Sequence, residues 1–146
     1  MSVSLTIDAI TDADVEPVVA LWQRCGLTRP WNDPHADIAL ARRRDNSTVL
    51  IGRDGGAIVA TAMVGHDGHR GWVYYVAVDP DGRKRGFGRV IMAAAEDWLR
   101  QAGILKLQLL VRRENAQANV FYQSLGLEES TSVMFQKWLD GRASTT

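Results

Sequence analysis

Between residues 72 and 99 an apolar segment, a turn, a basic glycine loop and a long amphipathic stretch follow one another, and few folds accommodate that succession. Trp72-Val73-Tyr74-Tyr75-Val76-Ala77-Val78 is aromatic and β-branched, with almost no polar group, which is the composition of a central strand covered on both faces. Asp79-Pro80-Asp81-Gly82 supplies the turn that ends it. Arg83, Lys84, Arg85 and Arg89 then surround Gly86, Phe87 and Gly88. Phe87, Ile91, Ala94, Ala95, Trp98 and Leu99 recur at helical spacing, and Gly103 stands where it closes that helix.

A helix opening on this loop presents unpaired backbone N–H groups and a partial positive charge. Glycines at 86 and 88 let an anion approach those amides without a Cβ in the way. The four cations add mobile charge, so the ligand suggested is a pyrophosphate. Two common nucleotide motifs do not fit. The dinucleotide fingerprint needs a third glycine where Ile91 stands, and the Walker loop needs a Gly-Lys-Ser/Thr end that is absent.

Composition narrows the setting. The 146 residues, 46% hydrophobic, suit one domain with a sizeable core, over residues 1–140, followed by a polar tail at 141–146 that reads as disordered. Seventeen Lys+Arg balance seventeen Asp+Glu, so no global field draws nucleic acid or a membrane surface, and the basic loop is a local feature. No apolar run is long enough for a signal peptide or membrane span. The single Cys25 excludes an intramolecular disulfide and points to a reducing cytoplasm. Three histidines without partners at ligand spacing give no metal site.

In chain order, residues 4–10 alternate as a first strand, and Thr11 and Asp14 open a helix whose inner face is Val15, Val18, Val19, Trp22 and Cys25. Gly26 closes it. A two-proline loop, 27–34, carries Trp31, Asn32 and Asp33, and a short helix follows over 35–44 with Ile38 and Ala41 inside. Residues 48–52 and 57–64 form a hairpin around Asp54-Gly55-Gly56. His66 and His69 then lie in a connecting stretch with ordinary turn chemistry. Residues 104–111 read as another buried strand, 115–125 as a helix ended by Gly126, and 127–130 and 132–138 as two closing strands. The whole is an α/β (α+β) layer fold, a mixed sheet flanked by helices.

On that last helix Asn115 and Tyr122 lie seven residues apart, two turns and about 10 Å along one face, with Ala118 between them. A cleft-facing tyrosine has a pKa close to that of a departing thiol and can give it a proton. Phe121, Tyr122 and Leu125 also suit a helix packed on a core, and both readings stay open on the residues alone.

The pattern Val78-x-Pro80-x-x-Arg83-x-x-Gly86-x-Gly88 resembles the acyl-CoA loop of the GNAT N-acetyltransferase family, whose signature is Arg/Gln-x-x-Gly-x-Gly/Ala. The Asn115-x-x-Ala118-x-x-x-Tyr122-x-x-x-Gly126-Leu127 run and the order of elements resemble that family over essentially the whole chain. The resemblance implies the acyl-CoA N-acyltransferase fold, with a mostly antiparallel sheet. It also implies acetyl-CoA as cosubstrate, no metal, and direct transfer of acetyl to a primary amine. Arg83 to Arg89 would hold the diphosphate, Asn115 the pantetheine arm, and Tyr122 would protonate the coenzyme sulfur. A bulge in the central strand would turn backbone amides of Val76, Ala77 and Val78 toward the acetyl carbonyl. The glutamate base that many relatives carry on this strand is absent, since Tyr74 and Tyr75 stand there, so deprotonation falls to water or to a loop residue. The amine's mouth would be bordered by Trp31, Asn32, Asp33, Tyr74 and Tyr75, a set suited to a small cation unless Asp33 merely caps the next helix. A homodimer stays open, as does an acyl-CoA-binding regulator without turnover. A nucleic-acid partner is disfavoured by the neutral charge.

Overall fold

The computed structural model describes residues 4–143, so 144–146 of the expected polar tail lie outside the described residues. Two compact units divide at the Leu110/Val111 boundary. The first holds a five-stranded sheet in the order β1-β2-β3-β4-β5. Its strands are β1 (Thr6–Ala9), β2 (Ser47–Asp54), β3 (Ala57–His66), β4 (Gly71–Val78) and β5 (Leu107–Gln108). Every pairing is antiparallel except β4 with β5, which is parallel. The helices are α1 (Val15–Arg24), α2 (Pro34–Ala41) and α3 (Phe87–Gln101).

Local chemistry explains most of these boundaries. Gly55 and Gly56, at φ 58° and 94°, make the two-residue turn whose twist matches the β2–β3 hairpin. A 3₁₀ turn, Asp12–Asp14, precedes α1, and the buried Asp14 carboxylate accepts from the Thr11 N–H at 2.9 Å and hydroxyl at 2.8 Å. Arg53 of β2 donates to the same carboxylate at 2.6 Å and holds its pKa below the usual range, tying the sheet to the helix start. Val18, Val19, Leu21 and Trp22 of α1 and Ile38 and Ala41 of α2 share one core with Val49, Ile51 and Ala77 of the sheet. Alternation sends the neighbouring strand residues to the opposite face. There α3 buries Phe87, Ile91, Met92, Ala95 and Leu99. A Cβ on Gly71 of β4 would stand 2.5 Å from Leu99, so the strand approaches the helix too closely for a larger residue.

The strand expected over 104–111 is only two residues long. Leu105 is 95% exposed, so the apolar run is not enclosed on both faces as its composition suggested. In the second unit α4 (Ala116–Ser124) begins at Asn115 and ends before Gly126, at φ 90°, close to expectation. The two closing strands are not formed. Residues 127–138 have no ladder, and Val133 and Phe135 are 78% and 93% exposed. Alternating apolar residues become a strand when a partner strand pairs with them, and none does here.

Candidate active site

The site in the first unit is built on an irregularity in β4. Thr61 pairs with Ala77, and Met63 with Tyr74, so Tyr75 and Val76 together oppose one residue of β3. This is a β-bulge, and Tyr75 occupies it at φ 50°, a left-handed conformation that costs a tyrosine roughly 1–3 kcal/mol. Several contacts offset that strain. The Tyr75 ring stacks on Trp22 at 3.8 Å with 6° between planes. Its hydroxyl donates to Asp37 Oδ2 at 2.7 Å, and its carbonyl accepts from the Thr61 hydroxyl at 3.0 Å. At about 1 kcal/mol per hydrogen bond, with a similar amount for the stack, these contacts match the strain. The bulge is held.

Two consequences follow. Successive strand residues normally point to opposite faces, yet Tyr74 and Tyr75 both line one cleft because the bulge rotates the chain between them. Beyond Trp72, moreover, β4 has no strand partner on its second side among the described residues, since β5 pairs with Gly71 and Trp72. The Asp79 N–H donates to Val59 of β3, so alternation directs the Val78 N–H to the opposite, open edge.

That edge runs into the basic loop. Asp79 caps the 3₁₀ turn Pro80–Gly82 by accepting from the Asp81 N–H at 3.0 Å, and it pairs with Arg24 at 3.2 Å. Gly82 is buried against Phe87, whose ring a Cβ would meet at 2.7 Å, so the aromatic side chain pins the loop from below. Lys84 and Gly86 take positive φ, 70° and 83°, and Gly86 begins α3. Alternating conformations of this kind turn successive N–H groups toward one concavity. No side chain caps α3, and its first turn contains no acid. Arg85 is drawn aside, paired with Asp54 at 3.3 Å and lying over Phe87 at 4.7 Å. Arg83, Lys84 and Arg89 are exposed and have no acidic partner among the described residues. Gly88, half-buried, is the second residue of the helix.

Beside the bulge lies an open cleft of about 440 Å³. Asn32, Asp37, His66, Trp72, Tyr74 and Tyr75 are among its walls, and no Lys or Arg lines it. Of the five residues expected at an acceptor mouth it gathers Asn32, Tyr74 and Tyr75. Trp31 and Asp33 are not on its wall. Asp33 caps α2, accepting from the His35 and Ala36 N–H groups at 2.9 and 3.3 Å. Two carboxylates line the cleft, Asp67 and Asp37, and the one on this helix is Asp37, one turn after Asp33. Sequence reading passed over it, although its place beside the inward-facing Ile38 was a usable signal. His66, in the stretch expected to be a turn, also faces the cleft, and its Nδ1 accepts the Gly68 N–H at 3.1 Å. Asp67 is held below the usual carboxylate range, chiefly by the Arg70 N–H and then that of His69, which makes it a weak base. Burial, reinforced by Asp37, raises the Tyr75 pKa strongly and keeps it the donor in their bond.

In the second unit Asn115 caps α4 through its side chain, which accepts from the Ala118 N–H at 3.1 Å. Tyr122 is half-buried and packs edge-on against Phe121 at 5.0 Å, and burial raises its pKa.

Comparison with known proteins gives a consistent result. The acetyltransferase (GNAT) family model matches residues 7–127. An acetyltransferase of Yersinia enterocolitica is 38% identical over 135 residues, 92% of this chain and 96% of that protein. One from Yersinia pestis is 40% identical over 126 residues, 86% of this chain and 89% of that protein. Among solved structures, the ribosomal-protein-S18-alanine N-acetyltransferase of Escherichia coli superposes with a TM-score of 0.75 at 27% identity, covering 88% of this chain and 80% of that one. The aminoglycoside acetyltransferase AAC(6')-Iy, in complex with the bisubstrate analogue CoA-S-monomethyl-acetylneamine, superposes at 0.79 over 93% of this chain and 99% of its own. At 20% identity that likeness is one of fold.

Proposed function

Because the chain belongs to the GNAT acetyltransferase family, an acetyl-CoA-using group of enzymes, we propose that it transfers acetyl to a small, positively charged primary amine in the cytoplasm. The observation that carries this reading is the open, bulged edge of β4 continuing into the basic, uncapped start of α3. Such an arrangement fits acetyl-CoA. The N–H groups of Phe87, Gly88 and Arg89 and the charges of Arg83, Lys84 and Arg89 would hold its diphosphate. Amides of Val76 and Val78 would bind the acetyl carbonyl oxygen, and Ala77 between them keeps that segment of strand in the core. Acetyl-CoA supplies the activated acetyl group as a thioester, which needs no metal to react.

The amine is assigned to the cleft. Asp37 with Trp72 and Tyr74 offers a carboxylate and aromatic faces to a cation, in a wall free of competing positive side chains. Asp37 pairs with the ammonium form, which loses one proton to water through the open mouth before attack and a second from the same nitrogen as the C–S bond breaks, balancing the proton that Tyr122 gives to sulfur and regains from water. Tyr122 serves as general acid to the departing sulfur, in line with its raised pKa, which keeps the phenol protonated at neutral pH.

Tyr122→Phe tests that role. It keeps the ring and its contact with Phe121 while removing the proton. We expect kcat to fall by about 10²–10⁴ with the Kd for acetyl-CoA unchanged. Wild-type turnover in the mutant would return Tyr122 to packing alone, and acetyl-CoA binding without turnover in the wild type would make the protein a regulator.

A further inference from the structure

The Thr61 hydroxyl makes two hydrogen bonds in a place that water does not reach. Thr61 is 0% exposed, as is Trp22, whose Nε1–H donates to Thr61 Oγ1 at 2.8 Å. An indole N–H can only donate, so the hydroxyl must accept there. Its single proton is therefore committed to the Tyr75 carbonyl, at 3.0 Å. That carbonyl belongs to the peptide joining Tyr75 to Val76, inside the bulge. A trans peptide is planar, with its C=O and N–H pointing in opposite directions. Fixing the Tyr75 C=O toward Thr61 on β3 thus fixes the Val76 N–H away from β3, toward the edge of β4 that carries no strand among the described residues.

We infer that Thr61 is a positioning residue for acetyl transfer: oriented by Trp22, its hydroxyl sets the peptide plane from which the Val76 N–H addresses the acetyl carbonyl. The inference rests on the acetyl-transfer reading above. It explains why a non-glycine residue stays at φ 50° in the centre of a strand, and why a threonine and a tryptophan from distant parts of the chain are buried together with their side-chain polar atoms paired to each other and to the bulge. A donor aimed at developing negative charge is worth most when its orientation is fixed before the reaction.

Thr61→Val keeps the shape and removes both hydrogen bonds, whereas Thr61→Ser keeps the hydroxyl. Steady-state kinetics, normalised to folded protein by circular dichroism, should show kcat about 10²-fold lower in Thr61→Val, with KM for acetyl-CoA and for the amine within about twofold. Thr61→Ser should restore kcat to within about threefold of wild type. Should Thr61→Val not fold, Trp22→Phe keeps an aromatic ring against Tyr75, frees the hydroxyl to rotate, and should lower kcat about tenfold. A folded Thr61→Val or Trp22→Phe protein with wild-type kcat overturns the inference, as does a serine variant as slow as the valine one. Absence of turnover in the wild-type protein overturns instead the acetyl-transfer reading on which the inference rests.

Discussion

Asp33 and Asp37 sit one helical turn apart and do different things. The Asp33 carboxylate is occupied by two backbone N–H groups at the start of α2, while that of Asp37 stands on the cleft wall with Tyr75 as its donor. If the acceptor is a cation, Asp37→Asn should raise its KM at least tenfold, the loss of one charged contact of about 1.5–3 kcal/mol, with kcat less affected. Asp33→Asn keeps a capping oxygen and should leave both stability and kinetics unchanged. Equal effects at the two positions would contradict the assignment. Tyr75 allows a second check at this scale. Burial and the neighbouring Asp37 raise its pKa in the folded protein above the value near 10 of the unfolded chain. The stability linked to that shift is complete below pH 10 and declines as the pH climbs above it, because the folded state keeps a proton that the unfolded state gives up. Tyr75→Phe should therefore lose less stability than wild type between pH 10 and 12, read as denaturation midpoints at each pH. An equal or steeper loss in the mutant would mean that the phenol is not protected.

At the scale of elements, the start of α3 tests the phosphate assignment. Gly88→Glu adds bulk and negative charge at the second residue of an uncapped helix, so acetyl-CoA binding by calorimetry should disappear while the helical signal persists. Unchanged affinity would remove the loop from the site. This loop was legible in the sequence because its signals are local: the Asp79-Pro80 turn, a glycine at positive φ, and Phe87 opening a helical stripe whose buried members are one turn apart. The β2–β3 hairpin was legible for the same reason. What the sequence did not show depends on pairing between distant segments. The shortness of β5, the missing ladder over 127–138, and the convergence of Trp22, Thr61 and Tyr75 on one bulge are tertiary outcomes that no local propensity encodes. A bulge that turns the amides of Val76, Ala77 and Val78 was expected by resemblance. The irregularity spans Tyr75 and Val76, and it turns both Tyr74 and Tyr75 to the cleft.

Over the whole molecule, charge separates the function from neighbouring ones. Seventeen cations and seventeen anions give no long-range field toward nucleic acid, and no helix among the described residues is long and apolar enough to cross a membrane. Charge is instead divided locally, basic at the start of α3 and acidic in the cleft, the division that the proposed cationic acceptor and its negatively charged cosubstrate would use. The most direct test of the account follows both substrates in one assay. Acetyl-CoA is supplied with a panel of small amines, cationic and neutral, while thiol release and acetylated amine are quantified together. The account predicts equal rates of the two, with cationic primary amines preferred over neutral analogues of the same size. Thiol released without an acetylated amine, or acetyl-CoA bound with neither product formed, would contradict it.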